Sequence, residues 1–154
     1  MTQARAITLL DRIHGALAGL ALGDAVGMPT EFMLPEAIRA VYGWVDRPLA
    51  PLKMHFHHEL PAGHITDDTG QALALCRAYL TPEGLTPETT ARELLAWADG
   101  EPHSKHFLGP STARAIERLR MGEDPRHSGR DGATNGAAMR APLIGLFHPG
   151  KADD

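Results

Sequence analysis

The stretch Thr66-Asp67-Asp68-Thr69, opening onto the apolar run Ala72-Leu73-Ala74-Leu75-Cys76, constrains the fold of this chain more than any other. Continuation through Arg77, Ala78, Tyr79 and Leu80 stops at the breaker Thr81-Pro82, so the pattern predicts a helix whose first turn carries Thr66, Asp67 and Asp68. Two readings of that turn stand side by side. One is capping, in which a threonine N-cap and acidic neighbours satisfy free main-chain amides. The other is a hard-cation site, because one hydroxyl and two carboxylates present several oxygens to one point, the donor type Mg²⁺ prefers.

The rest of the apolar pattern is helical as well. From Arg5 to about Val26, Ile7, Leu10, Ile13, Leu17, Leu20 and Ala21 recur at spacings of three and four. Gly15, Gly19 and Gly23 fall four apart on one face, and each costs roughly 1 kcal/mol relative to alanine in a helix interior. The expected return is close approach of another backbone or a ligand, which places this helix at the packed centre of a bundle. Gly27 is positioned to cap its end, with Pro29 preventing continuation. Asp24 and Glu31 bracket the turn that follows, Asp24 being expected to bond nearby loop amides. A short helix is predicted from Pro35 to Val41, closed by Gly43.

Residues 44–65 read as a long loop bearing His55, His57, His58 and His64. No recognised zinc-ligand spacing joins them, so they are expected to be solvated or to pack the loop. Thr86-Pro87-Glu88 starts another helix, with Ala91, Leu94, Leu95 and Ala98 on one face and Gly100 after it. After a polar loop, Gly109-Pro110-Ser111-Thr112 leads into Ala115, Ile116 and Leu119. That start suits either capping or a phosphate, since it leaves amides and hydroxyls free. Residues 122–134 read as loop, and Asn135-Gly136-Ala137-Ala138-Met139-Arg140 begins a last apolar segment interrupted by Pro142. No convincing strand emerges, and the fold class is all-α.

With 154 residues, 43% hydrophobic and 22% charged, one globular domain is expected. Net charge is −4 and the arginines are scattered rather than striped, which argues against a nucleic-acid partner. No stretch has the apolar length of a membrane span, and the first residues lack the order of a signal peptide. The expectation is a cytoplasmic chain without a membrane partner. Cys76, the single cysteine, reads as a small core hydrophobe.

Four glycine-marked motifs follow one another along the chain. They are Gly23-Asp24-Ala25-x-Gly27-x-Pro29-x-Glu31, Gly63-x-x-Thr66-Asp67-Asp68-Thr69, Gly109-Pro110-Ser111-Thr112 and Asn135-Gly136-Ala137-Ala138-Met139-Arg140. In order and spacing this set resembles the ADP-ribosylglycohydrolase family over nearly the whole chain. The resemblance implies an orthogonal helical bundle around a cleft with two Mg²⁺ ions, Mn²⁺ being an alternative. It implies hydrolysis of the glycosidic bond joining ADP-ribose to a protein side chain, so the expected partner is an ADP-ribosylated protein or a small molecule containing ADP-ribose.

Residue by residue, the resemblance makes Thr66, Asp67 and Asp68 metal ligands and sets Glu31, Asp67 and Asp68 at the catalytic centre. Gly109, Pro110, Ser111 and Thr112 would lie against the diphosphate, and Asn135 and Gly136 would line the ADP-ribose cleft. Asp24 would fix the loop. The family also carries a later acidic cluster, Asp-x-Asp-Thr, that completes the metal site, and this sequence ends at Lys151-Ala152-Asp153-Asp154 without it. Some members carry a carboxylate at the position of Phe107. The expectation is an apparently truncated, N-terminal half, met by a complementing C-terminal half. The alternative is a catalytically inactive fragment that binds ADP-ribose or serves structurally.

Overall fold

A computed structural model describes residues 6–148; Arg5, the expected start of the first helix, and the terminal Lys151-Ala152-Asp153-Asp154 lie outside them. Among the described residues the regular structure is entirely helical, the fold class read from the sequence. The order is α1 (Leu9–Gly27), a 3-10 turn (Met28–Thr30), α2 (Pro35–Tyr42), α3 (Asp67–Tyr79) and α4 (Pro87–Gly100), then α5 (Ser104–Phe107), α6 (Pro110–Arg120), α7 (Pro125–Ser128) and α8 (Gly136–Phe147). No helix among the described residues is long and apolar enough to cross a membrane.

Local chemistry sets most of these boundaries. Thr8 and Asp11 form a reciprocal capping box, Thr8 Oγ1 accepting from Asp11 N at 3.1 Å and Asp11 Oδ2 from Thr8 N at 2.9 Å. Thr86 and Thr89 form a similar one for α4, with Pro87 at the first helical position. Two single-turn helices, α5 and α7, occupy stretches read as loop; in α7 Asp124 accepts from Arg126 N at 2.9 Å, and Pro125 is preset for the turn. Gly27 keeps a right-handed conformation, and the chain passes through it into the 3-10 turn instead of using it as a left-handed cap. Pro142 lies inside α8, which continues past it.

The centre of the molecule is α3, not α1. Gly70, Ala72, Ala74 and Ala78 are buried along α3, and its small side chains let neighbours approach from two sides. On one side Ala74 joins Met28, Leu60, Trp97, Ala98, Phe107 and Ile116. On the other, Ala72 and Leu75 meet Leu143, with Leu17, Leu20 and Cys76 packed alongside. Leu94 of α4 packs against both clusters. Burial raises the pKa of the Cys76 thiol, in keeping with a packing residue.

The expectation of a central, glycine-faced α1 is therefore corrected. Only Asp24 and Ala25 of α1 are buried, and Leu9, Leu10 and Leu22 are exposed. A β-carbon at Gly15, Gly19 or Gly23 would meet nothing within 4 Å. A face of glycines offers little apolar area to remove from water, so burial has little to act on there. The helix docks instead through Leu17, Leu20 and its Asp24 end. Close approach through a missing side chain occurs at Gly70, against which the Trp97 indole lies.

Candidate active site

Asp24 builds the site by holding the start of α3 from across the fold. Its Oδ2 accepts from Thr66 N at 2.8 Å, Thr69 N at 3.1 Å and Thr69 Oγ1 at 2.6 Å, while Oδ1 accepts from Thr66 Oγ1 at 2.7 Å. All three residues are buried. Thr66 is the N-cap by position, but its side chain makes no capping bond to its own helix. The carboxylate of Asp24 does that work, reaching a helix start 42 residues away where nearby loop amides were expected. A Thr66 hydroxyl that gives its hydrogen to Asp24 still keeps lone pairs for a cation.

With the turn fixed, Asp67 and Asp68 line a cleft of about 390 Å³ together with Glu31 and Thr66. The same cleft is lined by Gly109, Pro110 and Thr112 at the start of α6 and by Asn135 and Gly136 at the start of α8. Neither α6 nor α8 has a side-chain cap at its N-terminus, so the amides of these two starts carry no side-chain partner. Every predicted site residue except Ser111 lines this cleft. Ser111 lines a neighbouring cavity of about 550 Å³, which shares Thr112, Thr134 and Gly136 with the first. There its Oγ accepts from Ala133 N at 3.4 Å.

Electrostatics mark the acidic side of the cleft. Burial pushes the pKa of Asp67 up to about 7, helped by Asp68, Glu31 and Asp24 and opposed by its own main-chain N–H. Burial also raises Asp68, with Asp24 and Glu31 adding to it. Carboxylates crowded this way favour either a proton or a cation. Donors that are all oxygen suit a hard divalent ion, and Asp67, Asp68 and Thr66 are the residues that would hold it. Among the described residues no three His, Cys, Asp or Glu side chains gather as a metal group.

Three residues at the site escaped the sequence reading. Gln71, fully buried, donates from Nε2 to Asp67 Oδ2 at 3.2 Å and accepts at Oε1 from Arg140 Nη1 at 2.7 Å. This relay ties the first turn of α3 to α8, and burial lowers the Arg140 pKa while Asp67 raises it. The signal for Gln71 was its position four residues after Asp67, on the same helix face. His57 is fully buried with Nε2 2.6 Å from Glu31 Oε2, and nothing in its loop sequence singles it out from the other histidines.

Comparison with known proteins is in keeping with this geometry. The ADP-ribosylglycohydrolase family model matches residues 5–154. YegU, an uncharacterized protein of Escherichia coli strain K12, is 38% identical over 147 residues, covering 94% of this chain and 44% of that protein. The ADP-ribosyl-[dinitrogen reductase] glycohydrolase of Rhodospirillum rubrum is 35% identical over 143 residues, 90% of this chain and 46% of the relative. The ADP-ribosylarginine hydrolase Tri1 of Pseudomonas putida strain GB-1 is 35% identical over 161 residues, 94% and 40% respectively. The chain thus spans less than half the length of these relatives. With four motifs converging on one cleft and a match running through all of them, the chain belongs to the ADP-ribosylglycohydrolase family.

Proposed function

We propose that this chain supplies the acidic and diphosphate-facing walls of a magnesium-dependent hydrolase that cleaves the glycosidic bond between ADP-ribose and a modified protein side chain. The observation that carries the proposal is the meeting of Asp67, Asp68 and Glu31 with the uncapped starts of α6 and α8 in one cleft. Glycosidic cleavage passes through an oxocarbenium-like state, which calls for a carboxylate near the sugar and an oriented water. Glu31 is the carboxylate for that role, acting as general base. The main-chain amides of Ser111 and Thr112, past Pro110, and of Asn135 and Gly136 suit a diphosphate, because helix starts present N–H groups to anions. When bound, Mg²⁺ supplies positive charge that orients water and polarises ribose hydroxyls. The relatives named for ADP-ribosylarginine and for ADP-ribosyl-[dinitrogen reductase] support a modified protein as the partner.

A second reading, binding of ADP-ribose without turnover, is supported by the uncapped starts of α6 and α8, which suit a diphosphate whether or not the acidic side reacts. A thermal melt of residues 1–154 separates the readings. ADP-ribose at a hundred times its dissociation constant adds about 2.7 kcal/mol, a rise of roughly 5 to 10 °C for a chain of this size. A shift that requires Mg²⁺ supports the hydrolase site, and release of ADP-ribose from a modified protein completes the case. The same shift in a chelator, without turnover, supports the binding fragment. No shift under either condition refutes both.

A further inference from the structure

Glu31 is held at two points by one short segment of the long loop. His57 Nε2 lies 2.6 Å from Glu31 Oε2, and His55 Nε2 lies 2.8 Å from the main-chain oxygen of the same residue. The main-chain N–H of His57 donates to His55 Nδ1 at 3.1 Å, tying the first ring to the residue that carries the second. Carbonyl and carboxylate oxygens only accept, so Nε2 is the donor in both contacts to Glu31. That assigns the hydrogen to Nε2 of each ring from the hydrogen bonds they make.

His57 would be a poor choice for packing alone. It has no exposed surface, and its Nδ1 is the only buried side-chain polar atom without a partner among the described residues. An apolar ring of similar size would fill the space without leaving a polar atom unpaired. What an apolar ring cannot provide is the donor to Glu31. Phe56 lies against His57 with ring centroids 3.7 Å apart, and Phe32 stands 5.4 Å from Phe56. Phe32, immediately after Glu31, adopts φ 61°, the only positive φ of a non-glycine residue among those described. Backbone held in a sparsely populated conformation beside a reacting group is a common feature of functional sites.

We infer that His57 is a positioning residue for Glu31, fixing Oε2 so that the other carboxylate oxygen is presented in one orientation, while His55 fixes the main chain of the same residue. The inference rests on the reading of Glu31 as the reacting carboxylate. Glu31 sits on a connection between the 3-10 turn and α2, with its side chain 46% exposed, and an untethered carboxylate there would sample several rotamers. Holding it restricts the approach geometry, on which reaction rate depends steeply.

The first arm of the test is spectroscopic and independent of turnover. Long-range ¹H–¹⁵N histidine spectra of the labelled protein, with His57 assigned by its absence in His57→Gln, should show Nε2 protonated and its proton protected from exchange. Glu31→Ala should remove that protection. An Nδ1-protonated His57, or one indifferent to Glu31→Ala, overturns the inference whether or not the protein turns over. The second arm uses the active protein. His57→Leu should lower kcat by about tenfold or more with KM little changed, and His57→Gln, which keeps a donor of similar reach, should regain much of the loss. Equal losses in Leu and Gln, or a loss confined to KM, would refute positioning. If the wild type releases no ADP-ribose, the hydrolase reading fails while the first arm still decides the His57–Glu31 contact.

Discussion

The indole of Trp97 rests directly on Gly70, so closely that a β-carbon at position 70 would stand 2.7 Å from Cε2. Helix propensity alone favours Gly70→Ala by about 1 kcal/mol. Overpacking against a buried ring outweighs it, and a net loss of about 1 to 3 kcal/mol is expected. Denaturant unfolding checks the sign; a stabilised Gly70→Ala protein would show that the ring moves aside freely.

The opposite sign is expected on α1. Gly19→Ala meets nothing within 4 Å, so only the backbone contribution remains, and residues 1–154 should gain up to about 1 kcal/mol. The same measurement on Gly15→Ala and Gly23→Ala should give gains of similar size. Losses at all three positions would mean the glycine face is covered in solution.

Asp24→Asn keeps the size of the side chain but replaces one acceptor oxygen by an amide donor. Three of the four contacts converge on a single oxygen, Oδ2, which the amide oxygen can replace, and the amide can donate to Thr66 Oγ1 where Oδ1 accepted from it, so the substitution removes the charge on the acceptor. Hydrogen bonds to a charged group contribute about 1.5 to 3 kcal/mol, and a loss of about 3 kcal/mol should lower the melting midpoint by roughly 6 to 12 °C. Proton exchange should quicken at Thr66 and Thr69 amides first. A midpoint within error of the wild type would remove Asp24 as the organiser of α3.

Asp67 makes the stability of the metal-free protein depend on pH in a defined direction. Its folded-state pKa of about 7 lies above the ordinary 3.8, so the folded state binds the proton more tightly than the unfolded chain. That contribution is fully present below about 3.8, shrinks as pH rises and is gone above about 7. In chelator, the gap in midpoint between Asp67→Asn and wild type should therefore grow in favour of the variant from pH 5 to pH 7.5. Added Mg²⁺ should narrow or reverse that gap by stabilising only the wild-type carboxylate. A gap that is constant with pH would place the Asp67 titration elsewhere.

The sequence carried the helical class and the motif residues because those signals are local. Pro35, Thr86-Pro87 and Gly109-Pro110 announce helix starts by chemistry that needs no partner, and the structure starts helices there. Nearly all of the predicted site residues share a cleft. What remained hidden depends on distant contact. Asp24 was legible as an acid that fixes a nearby loop, but its target 42 residues onward was not. His57 looked like three neighbouring histidines until burial and Glu31 distinguished it. The glycines of α1 were misread because spacing shows that a face is bare without showing whether anything covers it.

Asp67 and Asp68 occupy the first turn of a helix, where aligned peptide dipoles leave roughly half a positive charge that ordinarily lowers carboxylate pKa values. Both are raised instead. Asp24 lies against the Thr66 and Thr69 amides, so the positive pole of α3 is already met from inside the fold. Burial and the neighbouring carboxylates outweigh what the helix start still offers Asp67 through its own main-chain N–H. A buried N-terminal cap thus spends the pole of α3 inside the fold and leaves the two acids on the cleft side to be neutralised by a proton or a cation.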